Sequence, residues 1–521
     1  MSSAPLDREH GTSGGPEPGR VAPEAALSGG SGALRWLELS LIVGGVLLAA
    51  AAVASFGWLA WKRVPFPFEL DWMEGAMVEH VARLVSGNGI YVRPSMEFIA
   101  FVYNPLYYWV CAAVARVAGV GFLSLRLVSV AAAIATFGLI FEIVRREARS
   151  LIPGLLAAGL YAGTYPISGG FLDLGRVDSL AIALCLATVL VARRAETRAS
   201  YLVVASLVAL SFAARQNSLP LLGALWWHFA RQRGFKASLW FALPCLSAIS
   251  AGVALLSLAT EGWYWFYAFA LPLGHPLDPH ALPRAAMLPL VVALAFSGLF
   301  FTTFAPSAEA RRFYFVSSVA LVVMGAAGIA HSGGFFNEYI PIYAALSVGY
   351  GLGLGEALQR GAGRSRWIRG LALAASVLQL ACLAYDPRPY APGPQDLEDG
   401  QRLLEEVRSQ PGDVLVPAHG YLARMAGKQS FAHEMALLDL TQGPPAARGL
   451  ILPIAREYES AIQNHRFGSI ILDRPWVFQE LTNRYYSVSR WIRVRSTHYF
   501  FSEKDADELR YVLLPKPKGA R

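Results

Sequence analysis

Charge is scarce in this chain: Asp, Glu, Lys and Arg make up 16% of the 521 residues, while 55% are hydrophobic. Soluble domains carry about 25% charged residues, so a water-soluble globular protein is excluded and a polytopic membrane protein is expected. Cysteine is scarcer still. Cys111, Cys185, Cys245 and Cys382 all fall in apolar segments and share no metal-ligand spacing, which leaves them as small packing residues. None lies in the polar C-terminal region, which must therefore hold together by its core without disulfides. Acidic residues are outnumbered, 37 against 45 Lys plus Arg, for a formal charge of +8. The arginines are dispersed among short loops between apolar segments, where membrane orientation accounts for them, and no nucleic-acid partner is expected. Internal repeats are missing. So is any acid or base at the middle of an apolar run, where an ion-coupled transporter would place one.

What is present in quantity is apolar sequence and aromatics. Runs long enough to span a bilayer, or nearly so, fall at 37–60, 123–144, 151–169, 177–192, 200–214, 217–230, 238–259, 285–305, 313–331, 339–358 and 367–385. Many of the 13 Trp, 21 Tyr and 28 Phe sit where these runs meet polar loops. The fold class expected is an α-helical polytopic membrane protein of about eleven spans, with interfacial helices in the first outer loop and a small C-terminal extracytoplasmic α/β domain. Residues 1–35, rich in Gly, Ser, Pro and Ala, read as a disordered cytoplasmic tail. Residues 36–386 form the transmembrane part, with 61–122 as its first outer loop. Residues 387–521 form the outer domain, whose strand-like segments are "DVLVP" and "GSIILD".

Orientation follows from the basic loops. "RREARS", "RRAETR", "RQRGFK", "AEARR" and "QRGAGRSRWIR" fall at every second connection, which places them and the N-terminal tail on the cytoplasmic side of the membrane. The stretch 104–119, "NPLYYWVCAAVARVAG", would reverse every later loop if it crossed. At about sixteen residues it is short for a span, so it is expected to lie along the outer interface or re-enter.

The polar chemistry then gathers on the outer side. "FELDWMEGAMVEH" at 68–80 carries Glu69, Asp71, Glu74 and Glu79. On an interfacial helix Asp71 and Glu74, three apart, project to nearly one face, whereas Glu69 and Glu79 are expected to be solvated. "GGFLDLGRVDSLAIAL" brings Asp173, Arg176 and Asp178 to the outer end of the fourth span, with Asp178 either a functional acid or an N-cap. Arg215, with Gln216 and Asn217, breaks the apolar pattern at another outer turn, and an arginine facing outward calls for an anionic partner. His275, His280, Arg284 and His331 are weaker candidates on the same side.

These stretches resemble a known family. An acidic residue with "EG", then "LVSGNGIYVRP", "YNPLYYW", "LRLVSVAAAIATFGLIFEIVRRE" and "GRVDSLAIAL", in that order and on one side, are similar to the integral-membrane GT-C superfamily glycosyltransferases. The nearest branch is that of the bacterial protein-mannosyltransferase and aminoarabinose-transferase-like proteins, which use polyprenyl-phosphate sugars. "GGFFNEYIPIYAAL" resembles a later helix start of that family. The likeness covers residues 36–220 well, the later helices loosely and the C-terminal domain in placement only. It implies an acid of the first outer loop as catalytic base, here Asp71 or Glu74 with Asp71 favoured, and a second acid, Asp178, in the next outer loop. The family's adjacent "DE" pair is split here by Trp72 and Met73. Arg215 and Arg176 are suited to the donor phosphate, and Tyr103, Asp173, Asn217, His331 and Asn337 are further substrate-binding candidates. The expected partners are a polyprenyl-phosphate-sugar donor and an unidentified glycan, lipid or protein acceptor. No cofactor is expected, and a divalent metal is not favoured because arginines supply the positive charge. The alternative reading is a lipid-linked sugar translocase or a non-catalytic envelope-assembly component.

Overall fold

The computed structural model describes residues 25–278, 297, 307–331, 333–360, 366–494 and 508–517. Its first part is a helical bundle. The helices are α1 (Ala25–Arg63), α2 (Glu74–Val85), α3 (Leu106–Ala118), α4 (Phe122–Ala148), α5 (Leu151–Gly163), α6 (Asp178–Ala192), α7 (Arg198–Ala214), α8 (Pro220–Arg233), α9 (Phe235–Ala259), α10 (Ala308–Ala330), α11 (Ile340–Arg360) and α12 (Arg366–Cys382). Helices therefore lie on ten of the eleven expected spans; the run at 285–305, apart from residue 297, lies outside the described residues. Four of them are long and apolar enough to cross a membrane by length and composition: Leu34–Arg63 within α1, α4, α9 and α10.

The outward faces of this bundle are apolar. Only 17% of the apolar window of α1 is buried, and Trp36, Leu47, Trp58 and Trp61 stand exposed on it. A helix that is apolar on its exposed side needs a non-aqueous surrounding. α4, by contrast, is half buried and packs against α5, α6 and α11. Small residues allow the close approaches that membrane helices rely on, where dispersion rather than the hydrophobic effect drives association. A Cβ on Gly159 of α5 would lie 2.2 Å from Ala49 Cβ of α1, and one on Gly355 of α11 would lie 2.4 Å from Ala148 Cβ of α4.

Two sequence boundaries shift, and one side chain is placed differently. α1 already starts at Ala25, inside the segment expected to be a disordered tail, because helix extension from an established apolar helix costs little once nucleated. α5 stops at Gly163 rather than 169: Pro166 lacks a donor and turns its predecessor away from helical geometry, so 164–177 becomes a series of turns. Cys382 is exposed, unlike the other three cysteines, so it is not a packing residue.

α2 and α3 pack on each other, and α3 also on α4, so the segment 64–121 is folded against one end of the bundle. Over it lies a four-stranded sheet of order β1-β2-β4-β3, made of β1 (Asp413–Leu415), β2 (Phe467–Leu472), β3 (Tyr486–Val494) and β4 (Glu508–Pro515). β1 and β2 are parallel, which requires a crossover, here the helices Glu434–Gln442 and Pro445–Gln463. β4 pairs antiparallel with both β2 and β3.

Candidate active site

Asp71 and Glu74 do not share a helix face. Helix α2 begins only at Glu74, so helical spacing does not apply to Asp71, which sits in the preceding turn closed by the Glu74 N–H donating to the Asp71 carbonyl at 2.8 Å. Their carboxylates go to different partners. Glu74 is fully buried and accepts four sets of donors: Arg126 Nε at 2.8 Å and Nη2 at 2.6 Å, the Leu70 N–H at 2.9 Å and the Gly175 N–H at 2.7 Å. Although burial alone would raise it, Arg126 and these amides hold the Glu74 carboxyl below the usual range. Arg126 in turn donates to the carbonyls of Arg63, Phe66 and Phe68, so this pair knits α4 to the loop after α1. Glu74 is a brace with no capacity left.

Asp71 is differently placed. Its Oδ2 accepts from Arg176 Nη1 at 2.9 Å and from the Met73 N–H at 3.3 Å, while no donor reaches Oδ1 among the described residues. Burial pushes its carboxyl up from the ordinary value, with Arg176 opposing. Arg176 also donates from Nη2 to the Tyr103 hydroxyl at 3.0 Å, and its Nε is buried without a hydrogen-bond partner.

A second group lies within electrostatic reach of Arg176 and Tyr103. Arg215, the C-cap residue of α7, reaches Asp178 with one terminal nitrogen and Glu338 with the other. Asn337 Nδ2 donates to Asp178 Oδ1 at 3.0 Å and to Glu338 Oε1 at 3.2 Å. Asp178 is thus no N-cap; it is the first residue of α6 and makes no capping bond. Asp178 Oδ2 and Glu338 Oε2 are buried without partners. Burial pushes the Glu338 carboxyl up, with Arg215 opposing.

The remaining candidates divide. Asp173 is committed to Arg63 Nε at 2.9 Å and to the Tyr165 hydroxyl at 3.1 Å, a buried pair that ties the 164–177 turns to the end of α1. Asn217 donates to the Met324 carbonyl at 3.2 Å and leaves its Oδ1 buried and unpartnered. His331 ends α10 and forms a backbone bridge with Leu277. His275 turns to the C-terminal region, 3.2 Å from the Asp439 carbonyl. His280 and Arg284 lie outside the described residues. Glu69 and Glu79 are not solvated. Glu69 is fully buried against His419, and Glu79 is held by Arg424 at 2.5 and 2.6 Å and by the Ser430 hydroxyl.

Three residues of this network lie outside the set expected from the sequence. Arg126 stands in the first turn of the apolar run 123–144, Glu338 adjoins Asn337 just before the run 339–358, and His419 lies in a region without any family motif. The first two carried a signal, a charge at the end of an apolar segment, which is costly unless paired. Among the described residues no group of three or more His, Cys, Asp or Glu side chains is arranged to hold a metal ion.

Comparison with known proteins agrees with the sequence resemblance. The family model described as dolichyl-phosphate-mannose-protein mannosyltransferase matches residues 103–265. The fold is that of ArnT from Cupriavidus metallidurans: its crystal structures, one with bound undecaprenyl phosphate and one in the apo state, each match with a TM-score of 0.55 over 90% of this chain and 97% of that one, at 13% identity. An archaeal oligosaccharyltransferase, AglB from Archaeoglobus fulgidus in complex with an inhibitory peptide and a dolichol-phosphate, matches with a TM-score of 0.48 over 89% of this chain and 73% of that one, at 10% identity. No curated protein matches the chain.

Proposed function

We propose that this protein is a membrane glycosyltransferase that moves one sugar from a polyprenyl-phosphate donor to an acceptor hydroxyl on the outer face of a bacterial plasma membrane, with inversion. The observation that carries the reading is the meeting of Asp71, Asp178 and Glu338, from three distant segments, with Arg176 and Arg215 in one buried group. The family match and the fold shared with a protein crystallised with undecaprenyl phosphate support a lipid-phosphate donor.

In this reading Asp71 is the base, since its carboxylate joins the Arg176 group and keeps Oδ1 without a donor among the described residues, whereas Glu74 is saturated and Glu69 is paired with His419. It takes the proton of the acceptor hydroxyl. The acceptor oxygen bonds to the anomeric carbon as the bond from that carbon to the phosphate oxygen breaks, and the electron pair leaves on the phosphate. One displacement inverts the configuration. The leaving phosphate is met by Arg176 and Arg215, each of which keeps its Nε–H without a partner among the described residues. Burial favours the neutral form of Glu338, which limits the negative charge that a phosphate meets there, while Arg176 favours the Asp71 carboxylate that the base requires. Asp178 and Asn337 are assigned to holding Arg215 and Glu338 in place, and no metal is part of the reading.

The test uses the full chain in liposomes supplied with a polyprenyl-phosphate sugar and a membrane acceptor extract. Asp71→Asn is expected to lose transfer by a factor on the order of 10² to 10⁴ while remaining abundant in the membrane. Normal transfer by that variant, or movement of donor across the bilayer with no acceptor present, rules the proposal out.

A further inference from the structure

The C-terminal region reaches the candidate base from both sides. His419 lies in the turn after β1, almost wholly buried, with Nδ1 on the Glu69 carboxylate and Nε2 at 3.3 Å from Asp473 at the end of β2. Both ring nitrogens thus face carboxylates, the arrangement of an imidazolium donating twice. His433 has a different job. Its Nδ1 accepts from the Met435 N–H at 3.1 Å, so Nε2 carries the proton and donates to the Ala418 carbonyl at 2.7 Å and the Trp72 carbonyl at 3.0 Å. Burial keeps this ring neutral, pushing it down to about 3. Arg474 stacks over the Trp72 indole, 4.3 Å from its centroid.

The residues gripped, Glu69 and Trp72, flank Asp71 in a turn whose other side is fixed by Glu74. A buried charged pair across an interface is costly unless its geometry is kept, and its best-attested use is to set one register among several. A second, separate contact joins the same surfaces further along α2, where Arg424 pairs with Glu79. That pair is part-exposed and holds the region down without touching the 69–72 turn.

We infer that the C-terminal domain acts as a clamp on the first loop, with His419 and Glu69 as positioning residues that set where the Asp71 carboxylate stands. The inference rests on the glycosyltransferase reading for its catalytic consequence, but not for its structural one. A loop held at both shoulders keeps a base within reach of the acceptor, and a displacement of about 1 Å is enough to cost on the order of a hundredfold in rate.

The experiment compares His419→Gln, Glu69→Gln and Arg424→Ala in the full chain, measuring amide hydrogen exchange over residues 68–74 together with kcat and donor KM. His419→Gln is expected to raise exchange in 68–74 roughly tenfold and to lower kcat up to a hundredfold with donor KM unchanged. Glu69→Gln, which preserves shape, is expected to do the same and serves if His419→Gln does not accumulate. Arg424→Ala is expected to change neither quantity more than about twofold. Unchanged exchange in 68–74 for both Gln variants overturns the clamp, as does an Arg424→Ala variant that equals them in both readouts. If Asp71→Asn keeps transfer activity, the catalytic reading fails, and the exchange contrast alone then decides whether the clamp exists.

Discussion

Replacing Glu74 by Gln should damage the fold, whereas replacing Asp71 by Asn should damage only the chemistry. The two carboxylates stand three positions apart in sequence, but their hydrogen-bond inventories differ. In Glu74→Gln the new amide nitrogen must occupy one of two sites. At the Oε2 position it meets the Leu70 N–H and Arg126 Nη2; at the Oε1 position it meets the Gly175 N–H and Arg126 Nε. Either way donors face donors, and the Arg126 guanidinium is left as a buried charge without its counter-ion. Removing one partner of such a pair costs about 3–5 kcal/mol, enough to lower the folding equilibrium constant by roughly 10² to 10⁴. Asp71→Asn avoids the clash of donors, and Arg176, which loses its ion-pair partner, keeps the Tyr103 hydroxyl and the nearby Asp178 charge. The amide can keep its oxygen toward Arg176 and Met73 and turn its nitrogen to the side where Oδ1 has no donor. The assay is membrane abundance and the apparent Tm of the detergent-purified variants, alongside sugar transfer. A Glu74→Gln protein as abundant and as heat-resistant as the parent would refute the assignment of Glu74 as a brace, and with it the argument that singles out Asp71.

Other outcomes are expected from the same structure. Docking of the C-terminal region on the 68–74 turn should weaken as pH rises. Burial opposes the charge on His419, but the Glu69 carboxylate beside it and Asp473 push it up to about 9, so its contribution is complete below 6.5 and lost as pH passes 9. Glu69, pushed up to about 7 mainly by burial, acts in the same direction, losing its contribution as pH rises through 7. Protease sensitivity of the 416–434 segment should therefore increase between pH 7 and 9, and a flat profile contradicts the pairing. Gly328→Ala should displace Glu338, since the added Cβ would fall 1.8 Å from Glu338 Oε2. A loss of about 1–3 kcal/mol in stability is expected, with reduced transfer, read by thermal unfolding and activity together. Arg215→Lys gives up the planar fork that spans Asp178 and Glu338. It should cost about 3–5 kcal/mol, while Arg388→Lys at an exposed pair stays within about 0.5 kcal/mol.

The helical class, the positions of ten helices and the clustering of polar residues were legible in composition and hydropathy, because each is a property of a local window: a run of apolar residues has one low-energy backbone in lipid, with all its hydrogen bonds made internally. Asp71, Arg176, Asp178, Arg215 and Asn337 were legible for a related reason, as polar groups at the ends of apolar runs need partners. Which partner each one has is a different matter. Asp71 and Glu74 looked equivalent by spacing until the start of α2 at Glu74 placed one in a turn and the other on Arg126. Glu69 and Glu79 looked solvated because their partners, His419 and Arg424, lie some 350 residues away in sequence. Pairings of that kind arise only when distant segments are brought together, so local pattern determined where charge could be tolerated, and the tertiary packing alone decided which charges meet and which oxygen is left free.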